Sequence, residues 1–204
     1  MELFSIRIRR TFQLVSTLND RELLIATGGR GVYRMDMDSL VPKPYITADY
    51  ASHNGMNGDN INDIYVDGGD RIWLANYPAG VTIRNNRYQS YEWFRHSPGN
   101  SRSLVNDQVH DVIEDSEGDL WFATSNGISL LQPAVGRWRS FLSRSDGIQD
   151  GGNHIFLTLC EVSPGVICAG GYASGLYRIE KKTGRVEILS PLLCSRGASR
   201  PVYQ

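Results

Sequence analysis

Three observations predict an all-β fold built from about four similar units. Residues 60–76 and 108–124 align without a gap, and Trp73 and Trp121 lie 48 residues apart. A glycine followed by an apolar residue recurs every 47 to 49 residues. No segment sustains apolar residues at the i, i+3, i+4, i+7 spacing of a helix. A period of this length is typical of a four-stranded blade, so we predict a β-propeller segment of about four antiparallel blades, fewer than a complete propeller.

The repeat also predicts where each blade begins and ends. The last segment has a turn-like composition, and we expect it to be poorly ordered. The predicted units are a strand completing a preceding blade (1–10), blade 1 (11–53), blade 2 (54–101), blade 3 (102–150), blade 4 (151–193) and a poorly ordered tail (194–204).

Within a blade, the best-formed copy begins with a strand rich in β-branched residues, Val109–Glu114. A turn follows in which Asp115 can bond its own backbone and Gly118 can adopt a positive φ. Since Asp67 occupies the same repeat position as Asp115, turn formation is a better explanation of these carboxylates than catalysis. The tryptophans are expected to pack between neighbouring blades. The structural signature of the repeat comprises Gly31, Asp67, Trp73, Gly80, Asp115, Gly118, Trp121, Gly127 and Gly175.

Composition and charge exclude several classes of function. The 204 residues carry a formal net charge of -1, and the arginines are scattered, so nothing favours a nucleic-acid partner. No run of about 18 apolar residues is present, so we predict no membrane segment in this chain. The N-terminal residues also lack the pattern of a signal peptide.

Cysteine and histidine spacing predicts neither a metal site nor a cofactor. Cys160, Cys168 and Cys194 form no CxxC pair, and we interpret them as small buried hydrophobic residues. A turn at residues 163–165 would place Cys160 opposite Cys168, which leaves a cross-strand disulfide open as an alternative. The four histidines show no HxH or HExxH spacing.

Polar side chains gather where loops lead into the predicted innermost strands, and Tyr77 and Tyr172 lie in the loops before the recurring glycines. Amide, imidazole and hydroxyl groups suit hydrogen bonds to sugar hydroxyls, and tyrosine rings can stack on a sugar. A solvated channel lining is the competing interpretation of the same residues. The candidate ligand-binding residues are Asn60, Asn62, Tyr77, Gln108, His110, His154 and Tyr172.

The third copy of the repeat, across residues 104–128, resembles the two-component regulator propeller repeat. Its shared features are a strand ending in Glu-Asp, a turn with glycine, an apolar-Trp pair and an Asn-Gly-aliphatic step. The resemblance implies the periplasmic sensor region of hybrid histidine kinases of Bacteroidetes, which responds to oligosaccharides.

By that resemblance the chain is a non-enzymatic sensor segment in signal transduction. Its partners would be an oligosaccharide and either the remaining blades or a second copy of the chain. One alternative is a propeller enzyme similar to streptogramin lyase, for which His110 and Glu114 are the available His/Glu pair. Another is a protein-interaction scaffold.

Overall fold

The computed structural model of the chain describes residues 12–48, 55–144, 154–189 and 202–203. Across these residues the regular structure consists of β-strands and one short 3-10 turn, Pro133–Val135. None of the described residues forms a helix long and apolar enough to cross a membrane. The predicted strand over residues 1–10, the loop residues 151–153 and Cys194 lie outside the described residues.

Four antiparallel sheets follow one another along the chain, which confirms the predicted all-β blade architecture. Each sheet is a meander whose neighbouring strands are consecutive in sequence. Blade 1 contains β1 (Phe12–Asn19), β2 (Glu22–Thr27), β3 (Val32–Asp36) and β4 (Pro42–Ile46). Blade 2 contains β5 (Ile61–Val66), β6 (Arg71–Asn76), β7 (Gly80–Asn85) and β8 (Ser90–Phe94). Blade 3 contains β9 (Val109–Glu114), β10 (Leu120–Thr124), β11 (Gly127–Gln132) and β12 (Arg137–Phe141). Blade 4 contains β13 (Phe156–Ser163), β14 (Val166–Gly171), β15 (Gly175–Glu180) and β16 (Val186–Ile188), with a further short strand β17 (Val202–Tyr203).

The hydrophobic core lies between the blades. The first strands, β1, β5, β9 and β13, are neighbours in that order and form the inner edge of the stack. Three buried apolar clusters fill the successive blade interfaces. Trp73 packs against Phe122 of blade 3, and Trp121 packs with residues of blade 4 such as Phe156. The two tryptophans therefore hold neighbouring blades together, as the sequence predicts.

A hydrogen bond explains why aspartate and tryptophan recur together in the repeat. The indole Nε1 of Trp73 donates to Oδ2 of Asp67 at 2.9 Å, and Trp121 donates to Asp115 at 2.8 Å. The other carboxylate oxygen of Asp67 accepts the backbone N–H of Gly69, which closes the turn. Since a buried indole N–H needs an acceptor, one aspartate both forms the turn and satisfies the tryptophan.

The recurring glycine begins the third strand in blades 2 to 4 and directly precedes it in blade 1, with a positive φ that is +80° at Gly80. A Cβ atom there would overlap the carbonyl oxygen of Phe94 on the neighbouring strand. Glycine is therefore required both by the backbone conformation and by the close approach of the strands. Positive φ angles recur at Gly31, Gly127 and Gly175.

A buried lysine links the last two blades at their hairpin turns. Lys181 of blade 4 places its Nζ within 2.6 Å of Asp115 and 2.7 Å of both Glu117 and Asp119. Its side chain is 7% exposed, so this one ammonium group offsets part of the negative charge of the two buried aspartates away from solvent.

The cysteines differ in part from the sequence expectation. Cys160 is exposed and not buried, because it lies on the face of β13 that packs against no described blade. Cys160 and Cys168 are directly opposite each other, as the predicted turn requires, and both are free thiols. Within the predicted tail over residues 194–204, the described residues 202–203 form a strand, in which Val202 pairs with Glu187 at the edge of β16.

Candidate functional site

The inner strands all carry an extra residue near their beginning. In blades 1, 2 and 4 the register of the inner strand shifts between Phe12 and Leu14, Ile61 and Asp63, and Phe156 and Thr158. In blade 3 the same shift is seen on the partner strand, where Ala123 pairs with Asp111 but Thr124 pairs with Val109. Such a β-bulge redirects the side chain of the inserted residue and is frequent next to functional sites. The inserted residues, which we call the bulge row, are Gln13, Asn62, His110 and Leu157.

The bulge row lies at one end of the stack, which we call the upper face. In a meander, the start of the first strand, the end of the second and the start of the third share one end of the sheet. The turns that join the second and third strands of each blade therefore meet the connections between blades on this face. Backbone hydrogen bonds join the two sets, because Tyr77 N donates to Asn60 O at 2.9 Å and Ser125 N donates to Gln108 O at 3.0 Å.

His110 is the centre of a polar cluster between blades 2 and 3. Its Nε2 lies 2.8 Å from Oγ of Ser125, and its Nδ1 lies 3.4 Å from Nδ2 of Asn62. The Asn62 amide also donates to the carbonyl of Val109 at 2.9 Å. The ring of Tyr77 lies against the imidazole, with centroids 5.8 Å apart. Three of the predicted binding residues, Asn62, Tyr77 and His110, thus come into contact across the blade interface.

Both ring nitrogens of His110 have polar neighbours. Nδ1 lies near the Asn62 amide, and Nε2 lies beside the Ser125 hydroxyl, which can donate or accept. Burial lowers the pKa of His110, so the neutral imidazole is the form present at neutral pH.

Asn60 adds an unused acceptor to this face. Its Oδ1 atom is buried and has no hydrogen-bond partner among the described residues. A Cβ atom at Gly28 would lie 3.8 Å from this Oδ1 and 3.3 Å from Nε2 of Gln13, so both side chains adjoin Gly28. A buried acceptor without a partner is unfavourable, and a ligand with a hydroxyl or amide donor would satisfy it.

The remaining predicted residues are placed differently. Tyr172 N donates to Ile155 O at 2.8 Å, so Tyr172 occupies in blade 4 the position of Tyr77, with a side chain 56% exposed. The Gln108 side chain is half-buried at the same end of blade 3. His154 is buried, and its Nδ1 lies 2.8 Å from the carbonyl of Leu142. The structure therefore does not bring His154 into the cluster around His110.

Two carboxylates that sequence reasoning did not select lie one residue beyond the bulges. Oδ2 of Asp63 accepts the backbone N–H of Val112 at 2.8 Å, and Oδ2 of Asp111 accepts that of Leu159 at 2.6 Å. Each aspartate thus ties its own inner strand to the next blade. The sequence shows that the two aspartates occupy equivalent repeat positions, 48 residues apart. It does not show that each one contacts the next blade.

The same two carboxylates interact with each other. Burial foremost, and then the hydrogen bond and charge of Asp111, raise the pKa of Asp63 to about 7. Two carboxylates in contact cannot both ionise without repulsion, so they share a proton below that pH. The shared proton thus lies between Asp63 and Asp111 on the inner strands, one residue beyond the bulge row.

The His/Glu pair of the enzyme alternative is not assembled. Glu114 lies four positions after His110, which corresponds to about 13 Å along β9. Glu114 accepts a hydrogen bond from the hydroxyl of Tyr65, near the opposite end of the strand. Among the described residues, no group of three or more His, Cys, Asp or Glu side chains could hold a metal ion.

The comparison with protein families confirms the resemblance of the third copy. Residues 103–126 match the family model described as two component regulator propeller. This match covers the end of the connection into blade 3, β9, β10 and the turn that contains Ser125. No curated protein matches the chain.

Solved structures match over most of the chain. The extracellular domain of a putative hybrid two-component system from B. thetaiotaomicron is 20% identical, with a TM-score of 0.75 over 89% of this chain and 25% of that one. A second extracellular domain from B. thetaiotaomicron, of a putative one-component system, is 20% identical with a TM-score of 0.64, covering 87% of this chain and 23% of that one. PorZ of Porphyromonas gingivalis, a component of the type-IX secretion system, is 13% identical with a TM-score of 0.59, covering 88% and 27%. These similarities establish the propeller fold, and the chain spans about a quarter of the length of these structures.

Proposed function

We propose that this chain is a non-enzymatic, ligand-sensing propeller segment of a two-component regulator. Its ligand is a neutral oligosaccharide that binds at the upper face, on the bulge row and the adjoining turns. The segment works in the periplasm or outside the cell, together with further blades or a second copy of the chain. The match of residues 103–126 to the regulator propeller family supports the sensor role. The extracellular domains among the structural neighbours support the location.

The observation that carries the proposal is the polar cluster around His110. Bulges at the same point of successive inner strands place Asn62 and His110 side by side, and Tyr77 covers the imidazole. Beside the neutral imidazole, Oδ1 of Asn62 and the hydroxyl of Ser125 offer hydrogen-bonding capacity without a net charge. Such a set matches the hydroxyl groups of a neutral sugar better than it matches an ion.

Asn60, Tyr77 and Tyr172 extend the proposed binding surface from blade 3 to blades 2 and 4. The buried Oδ1 of Asn60 accepts no hydrogen bond among the described residues, so a sugar hydroxyl that reached it would satisfy it. Tyr77 and Tyr172 occupy equivalent positions in blades 2 and 4, and their rings can provide apolar platforms. A ligand spanning these positions would need several sugar units, which is why we propose an oligosaccharide.

The test is binding of a glycan panel to the whole chain, measured by thermal shift and calorimetry, with the oligomeric state measured in parallel. Asn62→Ala removes one hydrogen-bonding side chain and should weaken binding about two- to tenfold. Tyr77→Ala should weaken it further because the platform is lost. Tyr88→Ala is the matched control, since Tyr88 is 74% exposed in the turn between β7 and β8 at the opposite end of blade 2.

A stable monomer that no glycan stabilises would overturn the sensor proposal. Equal weakening by Tyr77→Ala and Tyr88→Ala would place the ligand elsewhere on the molecule. The scaffold alternative predicts the first of these outcomes, so the same experiment separates the two functions.

A further inference from the structure

We propose a second binding site, distinct from the upper face, that accepts a small organic carboxylate at the outer edge between blades 2 and 3. The site is a cleft of about 390 Å³, near the small end of the volumes that hold small molecules. It lies where the connection between blades 2 and 3 passes the hairpin joining β11 and β12. Its lining residues are Ser101, Arg102, Val135, Gly136, Arg137 and Trp138.

The charge of the cleft selects the ligand. Two guanidinium groups line it, and none of the lining residues carries a carboxylate. Within the part of the chain that the structure describes, the side chain of Arg102 has neither a hydrogen bond nor an ion pair, and it is exposed. Arg137 uses only Nε, which donates to Oε1 of Gln132 at 2.9 Å, so its remaining N–H groups are available. Paired guanidinium donors without a counterion are suited to a carboxylate.

A chain of hydrogen bonds holds Arg137 in position. The Gln132 amide donates through Nε2 to Oδ2 of Asp119 at 2.7 Å, which leaves Oε1 facing the arginine. Asp119 is in turn held by the buried Nζ of Lys181 at 2.7 Å. The guanidinium is thus oriented by a neutral acceptor that is itself fixed, and no carboxylate of the described residues forms an ion pair with it. Such preorganisation lowers the entropic cost of binding.

The walls of the cleft indicate that the carboxylate is attached to an apolar or planar body. Trp138 is half-buried, and its ring is stacked on Phe122 at 5.9 Å and lies edge-on to Phe94 at 5.2 Å. These contacts fix the indole as a rigid surface. Val135, 69% exposed in the adjoining 3-10 turn, adds a second apolar group at the rim. A bare anion would leave both apolar groups unused.

The test is titration of the whole chain with benzoate, followed by NMR at the indole N–H of Trp138 and the backbone amide of Gly136. Benzamide is the neutral control of the same shape. We expect a saturable shift with benzoate and none with benzamide. Arg102→Gln and Arg137→Gln should each weaken benzoate binding about tenfold or more, because each removes one charge-assisted contact. Arg87→Gln, an exposed arginine outside the cleft, should leave it unchanged.

Three results would overturn the proposal: no saturable shift, equal shifts with benzamide, or equal weakening by Arg87→Gln. Since none of these residues belongs to the upper face, failure here leaves the sensor proposal untouched. The converse also holds, because Tyr77→Ala should not alter benzoate binding.

Discussion

Replacing Asp63 by asparagine should change how the stability of the chain depends on pH. Asp63 binds its proton more tightly in the folded protein, with a pKa raised from 3.8 to about 7 by burial and by the neighbouring Asp111. Between these two pH values the folded state therefore holds more protons than the unfolded state. The free energy of unfolding must fall as pH rises through this window, and it must level off above pH 7. At 1.36 kcal/mol per pKa unit, the loss is on the order of 4 kcal/mol.

The Asp63→Asn substitution preserves the contacts of this side chain but not its charge. The new amide oxygen can still accept the N–H of Val112, and the new NH₂ group can donate to Asp111. The variant should match the wild type near pH 3, below the unfolded pKa, and exceed it by up to about 4 kcal/mol near pH 7.5. The assay is urea unfolding at a series of pH values, comparing the two proteins at each.

The matched control is Asp67→Asn on the same blade, for which the sign is opposite. Although burial opposes it, hydrogen bonds from Trp73 and Arg71 hold the pKa of Asp67 below its ordinary value. Its stabilising effect is present above the unfolded pKa and is lost as pH falls, so Asp67→Asn should be most destabilising at high pH. A difference between Asp63→Asn and wild type that is the same at pH 3 and 7.5 would refute the shared proton.

The remaining predictions concern the links between blades. Lys181→Met should lower the free energy of unfolding by about 3–5 kcal/mol, because Asp115 and Asp119 stay buried without their cation; urea unfolding checks this, and a loss below about 1 kcal/mol would contradict it. Asp67→Ala should cost about 1–3 kcal/mol by leaving the indole N–H of Trp73 without an acceptor. Tryptophan fluorescence during unfolding measures it, and an unchanged midpoint would be evidence against the hydrogen bond. Gly80→Ala should cost at least about 1–2 kcal/mol through its positive φ alone, with more from the overlap with Phe94. Thermal unfolding tests this, and a variant as stable as the wild type would contradict it.

The blade architecture could be predicted because its determinants are local and repeated. Asp115, Gly118 and Trp121 lie within seven consecutive residues, and their turn, strand and packing roles follow from residue type and spacing. The same pattern in blade 2 made the period visible. The hydrogen bond from Trp121 to Asp115 was not predicted, although its physical reason, the need of a buried indole N–H, is general.

The candidate site could be predicted only in part. Asn62 and His110 were selected because they lie where loops enter inner strands, but their contact depends on the bulges. A bulge is a property of pairing between strands, and a single strand sequence does not reveal it. Ser125 was missed for a related reason, since its role arises from the turn that brings it to Nε2 of His110. His154 was selected by loop position, yet its side chain is buried against Leu142.

The outer cleft between blades 2 and 3 could not be predicted from the sequence, for a different reason. Arg102 and Arg137 are 35 residues apart, in a loop and at the start of a strand of another blade. Nothing in their local sequence predicts that they line one cavity. Only the path of the connection between blades 2 and 3 brings them together.

The proposed sensor function depends on ligand binding at the bulge row of the upper face. NMR of the ¹⁵N-labelled chain, titrated with the glycan that stabilises it most, tests this directly. We expect saturable shifts at the side-chain amides of Asn60 and Asn62 and at the imidazole of His110, with the indole of Trp138 unchanged. Shifts confined to residues outside the upper face would contradict it.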